Sequence, residues 1–246
     1  MADNIFIFYL ALFVIAFLYA SVGHGGASGY LALMAIYGIS PDIMKPTALM
    51  LNLFVSAVSF LQFYRGGHFK IKLFWPLALA SIPFAFIGGM INMDASVYKI
   101  VLGLLLVVAV ARFLFFGNLK NSDVRPFHVT GAVFIGAVIG FLSGLIGIGG
   151  GIILSPILLL LKWSDMKQTA AISALFIFVN SLSGLTGQFV NGIQFTTDMA
   201  MYVVVAFSGG MMGAYFGSLK LKAGALKNVL ALVLLVAAYK LLFTSA

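Results

Sequence analysis

FLYASVGHGGASGYLAL (17–33) and FLSGLIGIGGGIILSPI (141–157) are two versions of one stretch. At a fixed offset Gly23, Gly25 and Gly26 fall on Gly147, Gly149 and Gly150. The match extends outward. PDIMKPTA (41–48) pairs with SDMKQTA (164–170), LFVSAVS (53–59) with FIFVNSLS (176–183), and YKIVLGLLLVVAVARFLF (98–115) with LKNVLALVLLVAAYKLLF (226–243). A hydrophobic unit written twice, with a glycine-rich break near the front of each copy, is the pattern of a secondary transporter. In such proteins the substrate site lies where the copies meet. The repeat divides the chain into 1–117 and 127–246, joined by a cytoplasmic linker at 118–126.

The chain is 63% hydrophobic and 8% charged, with mean hydropathy +1.15. No soluble domain of 246 residues hides that much apolar surface, so the solvent is lipid. The net charge of +8 is no nucleic-acid footprint, because the basic residues lie between apolar spans and signal topology. The absence of cysteine excludes disulfides and thiolate metal sites. The first span, 4–22, follows MADN, which lacks the positive charge of a secretory leader. Its counterpart at 128–146 makes it part of the fold.

Apolar segments run over 4–22, 27–39, 46–64, 73–92 and 97–116, then 127–146, 150–162, 168–187, 197–218 and 224–243. Most reach the ~20 residues that cross ~30 Å of hydrocarbon. The second and seventh, about 13 residues each, are short enough to be tilted, half-spanning or re-entrant. The charges arbitrate. If all ten segments cross, Arg65, Lys70, Lys72, Arg112, Lys120, Arg125, Lys162, Lys167, Lys220, Lys222 and Lys227 share one face. Only Lys45, Lys99 and Lys240 occupy the other. If the short segments turn back, the split is even, 7 to 7. The positive-inside rule therefore predicts ten crossings, both termini outside the cytoplasm, and two five-helix repeats inverted relative to each other. Two breaks entering from opposite sides then approach one midplane site.

Non-helical backbone at membrane depth costs several kcal/mol per unsatisfied group. The runs Gly23-His24-Gly25-Gly26 and Gly147-Ile148-Gly149-Gly150-Gly151 therefore point to a purpose. The helix after each break presents free N–H groups and a positive dipole end, which suit an anion. The competing reading is tight helix crossing alone. A dinucleotide site is excluded, since no strand precedes the glycines and no acidic residue follows about 20 positions on. The series Gly136, Gly140, Gly144 and Gly209, Gly213, Gly217 are packing stripes; their first-half counterparts include Ala16 and Ala20.

Asn52, Ser56 and Ser59 lie on the third segment, and Asn180, Ser181 and Ser183 on the eighth. Ser56 aligns with Asn180 and Ser59 with Ser183. These neutral groups donate to an anion without burying a charge, or else hydrogen-bond between helices. Gln62 and Gln188 are weaker candidates, nearer the segment ends. Asp42, Thr47, Asp165 and Thr169 read as helix-start residues, with Pro46 in a first turn. His24 is the one histidine inside a break, suited to gating or proton coupling, although its repeat partner is Ile148. Arg112 and Lys240 read as snorkelling side chains. No carboxylate is expected in the spans, and a cation substrate would lack its usual counter-charge. An anion needs none.

GLIGIGGGIILSPILLL (144–160), the two-fold repeat and the length together resemble the TauE/SafE family of membrane permeases, the sulfite exporters. The first copy departs from the pattern, with Ala27 for the third glycine and Ala32 in place of Pro156. The resemblance implies export of sulfite or an organosulfonate across the bacterial inner membrane. The residues themselves argue for a small anion and a lipid bilayer as partners, and no nucleic acid. They call for no cofactor and no metal, and leave assembly with copies of itself open. The competing classes are an anion channel, which shares the glycines, and a membrane enzyme. The enzyme is disfavoured because no nucleophile lies beside a base.

Overall fold

A computed structural model describes residues 2–21, 23–115, 124–190, 192–193 and 196–219, with five positions between 235 and 243. The helices are α1 (Ala2–Ser21), α2 (Ala27–Ile36), α3 (Pro41–Arg65), α4 (Ile71–Met90), α5 (Ala95–Phe115), α6 (Val129–Ile146), α7 (Gly151–Leu160), α8 (Met166–Val190) and α9 (Thr197–Leu219). Among the described residues there is no strand. The first nine segments each correspond to one of these helices. The tenth segment lies almost wholly outside the described residues, as do linker residues 118–123, Lys220, Lys222, Lys227 and Lys240, and the side chain of Arg112.

By length and composition α3, α4, α6, α8 and α9 can each cross a membrane. Phe6, Leu79, Phe134 and Val204 point outward, 63% to 70% exposed. Such a surface is stable against lipid and not against water. The architecture is that of an all-helical polytopic membrane protein.

Lipid offers no hydrophobic drive between helices, so packing rests on close backbone approach. Gly136, Gly140 and Gly144 of α6 lie against the carbonyls of Leu77, Ser81 and Ala85 on α4. Gly209 and Gly213 of α9 lie against those of Phe13 and Phe17 on α1. Both pairs therefore run parallel, and both join a helix of one half to a helix of the other. The predicted packing role holds for Gly136, Gly140, Gly144, Gly209 and Gly213; the surroundings of Gly217 are outside what the structure describes.

α3 and α8 cross the centre antiparallel. Asn52 donates to Ser181, and Gly23 lies between Phe63 and Ala170. Asn52 and Ser181 are near the middle of their helices, so this contact marks the middle of the bundle. At one end Lys45, Ile91, Tyr98, Gln188 and Thr196 gather. At the other, rings of Phe60, Tyr64, Phe69 and Phe74 pack together, and the Arg125 N–H donates to the Lys162 carbonyl.

The two short helices have 10 residues each. That is roughly 15 Å, half of the hydrocarbon core. α2 folds back along α1: Tyr19 and Ser28 hydroxyls are 2.7 Å apart, and the rings of Phe8 and Tyr37 are 5.0 Å apart. It leads from the middle of the bundle to the end where α3 begins. α7 leads from the middle to the opposite end, where Trp163 packs on Phe127.

The helix starts need one correction. α3 begins at Pro41, so Pro46 lies inside the helix and not in its first turn. Ser40, at the cap position, makes no side-chain capping bond, and the Thr47 hydroxyl donates back to the Ile43 carbonyl. A proline interior to a helix removes one donor and tends to bend it. At α8 the capping expectation holds for Asp165 and not for Thr169, whose hydroxyl lies 2.7 Å from Ser164 Oγ. There the Gln168 N–H donates to Asp165 Oδ1 at 2.9 Å, and the Asp165 N–H to Gln168 Oε1 at 3.2 Å.

Candidate functional site

The two breaks meet at one side chain. A Cβ placed on Gly25 would lie 2.6 Å from Asn52 Oδ1, and one on Gly149 2.5 Å from Asn52 Nδ2. Both would also press on Ile177, and Gly149 on Ser181. Only residues without side chains let two backbone segments close on the same amide. Gly149 also has φ +72°, a left-handed conformation that costs other residues roughly 1–2 kcal/mol.

Asn52 is fully buried. Its Nδ2 donates to Ser181 Oγ at 3.3 Å, while Oδ1 finds no hydrogen-bond partner in the protein. A buried polar atom without a partner costs about 1–3 kcal/mol, so its retention asks for a reason. The amide also serves in its turned orientation. Oδ1 then accepts the Ser181 hydroxyl, and Nδ2 becomes a free donor.

Each half-helix starts beside this amide. Gly26 and Gly150 occupy the cap positions of α2 and α7 in left-handed conformation, and no side chain caps either helix. The first N–H groups of both therefore remain available at the middle of the bundle. Gly151 lies against Ile177, Gly23 against Phe63 and Ala170, and Gly147 against the backbone of Lys45.

Ser56 and Ser59 follow Asn52 at i+4 and i+7 on α3; both are buried, and neither hydroxyl has a partner. The remaining candidates lie elsewhere. Ser183 donates to the Ile82 carbonyl of α4, and Asn180 to the Phe176 carbonyl of its own helix, with Asn180 Oδ1 unpartnered. His24 is buried and crosses to the second half, its Nε2 lying 3.0 Å from Ser155 Oγ. Ser155 in turn lies 2.9 Å from Ser173 Oγ and donates to the Gly151 carbonyl at 2.8 Å. His24 thus ties the first break to the helix that follows the second.

Sequence reasoning missed Ser155, Ser173 and Ile177. A serine one turn into an otherwise apolar half-helix was the available signal for Ser155. Ser155→Ala removes the hydroxyl at His24 Nε2. We expect it to cost about 1–2 kcal/mol and to lower the melting temperature in detergent without loss of membrane insertion. An unchanged melting temperature would show that the tie carries no stability.

Among the described residues no cluster of metal-ligating side chains occurs.

The family model described as "Sulfite exporter TauE/SafE" matches residues 8–241. A protein of Sinorhizobium fredii named "Probable membrane transporter protein y4hK" is 39% identical over 240 residues, covering 95% of this chain and 96% of its own. "Probable membrane transporter protein MJ0441" of Methanocaldococcus jannaschii is 30% identical over 188 residues, 70% of this chain and 68% of its own. No solved structure matches. The match runs through both breaks and nearly the whole repeat, and on it the chain belongs to the TauE/SafE sulfite exporter family, a membrane transporter and not an enzyme.

Proposed function

We propose that the protein is a secondary transporter for a small anion, sulfite or an organosulfonate, working by alternating access of two inverted five-segment repeats, 1–117 and 127–246. The observation that carries the reading is the closure of Gly25 and Gly149 on the buried Asn52 amide, between two uncapped helix starts. A desolvated oxyanion there receives backbone N–H groups, the Asn52 amide, and the hydroxyls of Ser181 and Ser56; Ser59, two helical turns or roughly 10 Å along α3, meets it only further along its path. None of these carries a charge that must be paid for in lipid when the site is empty. The family description supports sulfite as the first anion to test.

Each half-helix, added to the long helix before it, returns the chain to the end it came from, which fits the 11-to-3 distribution of basic residues. In that arrangement the Lys45 end faces the periplasm, with both termini, and the Arg125 and Lys162 end faces the cytoplasm of a cell bounded by its inner membrane. Expulsion of a monovalent anion from an inside-negative cell gains about 2.3 kcal/mol per 100 mV. Export then needs no coupling ion, which suits a site without a carboxylate.

The test is thermal shift of the purified protein with sulfite, sulfate, thiosulfate, sulfoacetate, taurine and acetate. Sulfite or a sulfonate at 100 times its Kd should add about 2.7 kcal/mol of apparent stability, and acetate none. No shift with any anion would overturn the substrate assignment. Trans-stimulated flux in proteoliposomes separates a carrier from a channel; flux that never saturates would overturn alternating access.

A further inference from the structure

A second feature faces the same pathway from one end. A cavity of about 420 Å³ opens among the N-terminus of α3, the loop after α4, the start of α5 and the C-terminus of α8. Lys45, Asp42, Tyr98, Leu145 and Gln188 line it. Lys45 lies seven residues, or two helical turns, before Asn52 on α3, so the cavity floor is roughly 10 Å from the midplane amide.

The donors in this cavity are incompletely used. Lys45 Nζ donates to the Gly89 carbonyl at 3.3 Å and the Ile91 carbonyl at 3.2 Å. An ammonium has three N–H donors, so one remains for the cavity. Gln188 is 5% exposed, and its Nε2 has no partner. The floor is tied to the second break: the Tyr98 hydroxyl donates to the Ile146 carbonyl at 2.9 Å, and Gly147 rests on the Lys45 backbone. A positive charge in a walled cleft focuses its field and raises the local concentration of anions. Asp42, exposed at the same cavity, opposes it.

We infer that this cavity is a second anion-binding station, in which Lys45 Nζ and Gln188 Nε2 hold a small oxyanion or sulfonate between the membrane surface and the midplane site. The inference rests on the anion-transport reading and adds to it a sided affinity. The station contacts the substrate only at the Lys45 end, so its removal weakens capture from that face and leaves KM at the opposite face unchanged.

The experiment measures initial rates of sulfite entry into membrane vesicles of both orientations. Lys45→Met should raise KM about tenfold for sulfite presented at the Lys45 face, with kcat from that face kept within threefold. At the other face it should change KM less than twofold, and kcat falls there instead, so that kcat/KM drops equally in both directions. Lys45→Arg should retain low KM. Gln188→Leu, which breaks no bond, should raise the same sided KM about threefold, and Asp42→Asn should lower it. A second readout needs no flux. Acetylation of Lys45 by a membrane-impermeant reagent, read by peptide mass spectrometry, should slow at least fivefold in saturating sulfite, and should still slow in Asn52→Leu.

A KM that rises equally at both faces, or Lys45 acetylation indifferent to sulfite while wild-type flux saturates, overturns the station alone. Wild-type protein that neither moves nor is protected by sulfite or any other anion of the panel overturns the anion reading and the station together.

Discussion

Gly149→Leu should abolish transport while the protein still inserts. The residue has φ +72°, and its Cβ would meet Asn52 Nδ2 at 2.5 Å, Ile177 Cγ2 at 2.9 Å and Ser181 Oγ at 3.0 Å. Leucine at this position fills the site and forces the second break away from the amide. The backbone strain, about 1–3 kcal/mol, is local and leaves the parallel helix pairs intact. Asn52→Leu tests the chemistry without strain at the break backbone, since it keeps the branched heavy-atom skeleton and loses both polar atoms. A hydrogen bond to a charged ligand contributes about 1.5–3 kcal/mol, so sulfite flux at low substrate should fall about 10- to 100-fold. Flux in proteoliposomes, normalised to inserted protein, is the measurement. Wild-type flux in both variants would remove the midplane amide from the mechanism.

The breaks were legible in the sequence because unwound backbone in lipid needs a composition found nowhere else in a helix. Gly23 to Gly26 and Gly147 to Gly151 announce themselves. The side chain they close on does not. The repeat pointed to matched pairs, Ser56 with Asn180 and Ser59 with Ser183. The structure instead joins Asn52 to Ser181, whose repeat counterparts are Phe176 and Ala57. A single site between two halves needs complementary residues from each and not equal ones, so self-alignment finds the scaffold and passes over the asymmetric contacts. Lys45 is a similar case. A lysine near a helix start reads as an interfacial charge. Only the path of the chain after α4 shows that it donates to the Gly89 and Ile91 carbonyls and lines a cavity.

Gly144→Leu should cost the folded protein itself. A Cβ at this position would meet the Ala85 carbonyl oxygen, with its carbon at 2.7 Å and the Gly89 nitrogen at 2.8 Å. These are backbone atoms of α4, which cannot rotate aside as a side chain can. α4 is also held from its other flank, where Gly187 of α8 lies against the Phe86 carbonyl and Gly89 against that of Gly184. A shift that relieved α6 would therefore drive α4 into α8. Overpacking costs about 1–3 kcal/mol where neighbours can yield, and here they are backbone on both sides. We expect no monodisperse Gly144→Leu protein in detergent, or a melting temperature lowered by more than about 10 °C, a larger drop than the roughly 4–8 °C that 1 kcal/mol gives in a small domain. Gly131→Ala is the control on the same helix, since its Cβ would meet Trp163 at an ordinary 3.4 Å, and it should leave the melting temperature unchanged. The consequence reaches function because α6 ends two residues after Gly144, and the break that follows delivers Gly149 to Asn52. A helix pair that sets the position of a binding loop this directly has little room for error. Gly144→Leu protein with wild-type yield and melting temperature would show that α4 and α6 pack less closely than their backbones indicate.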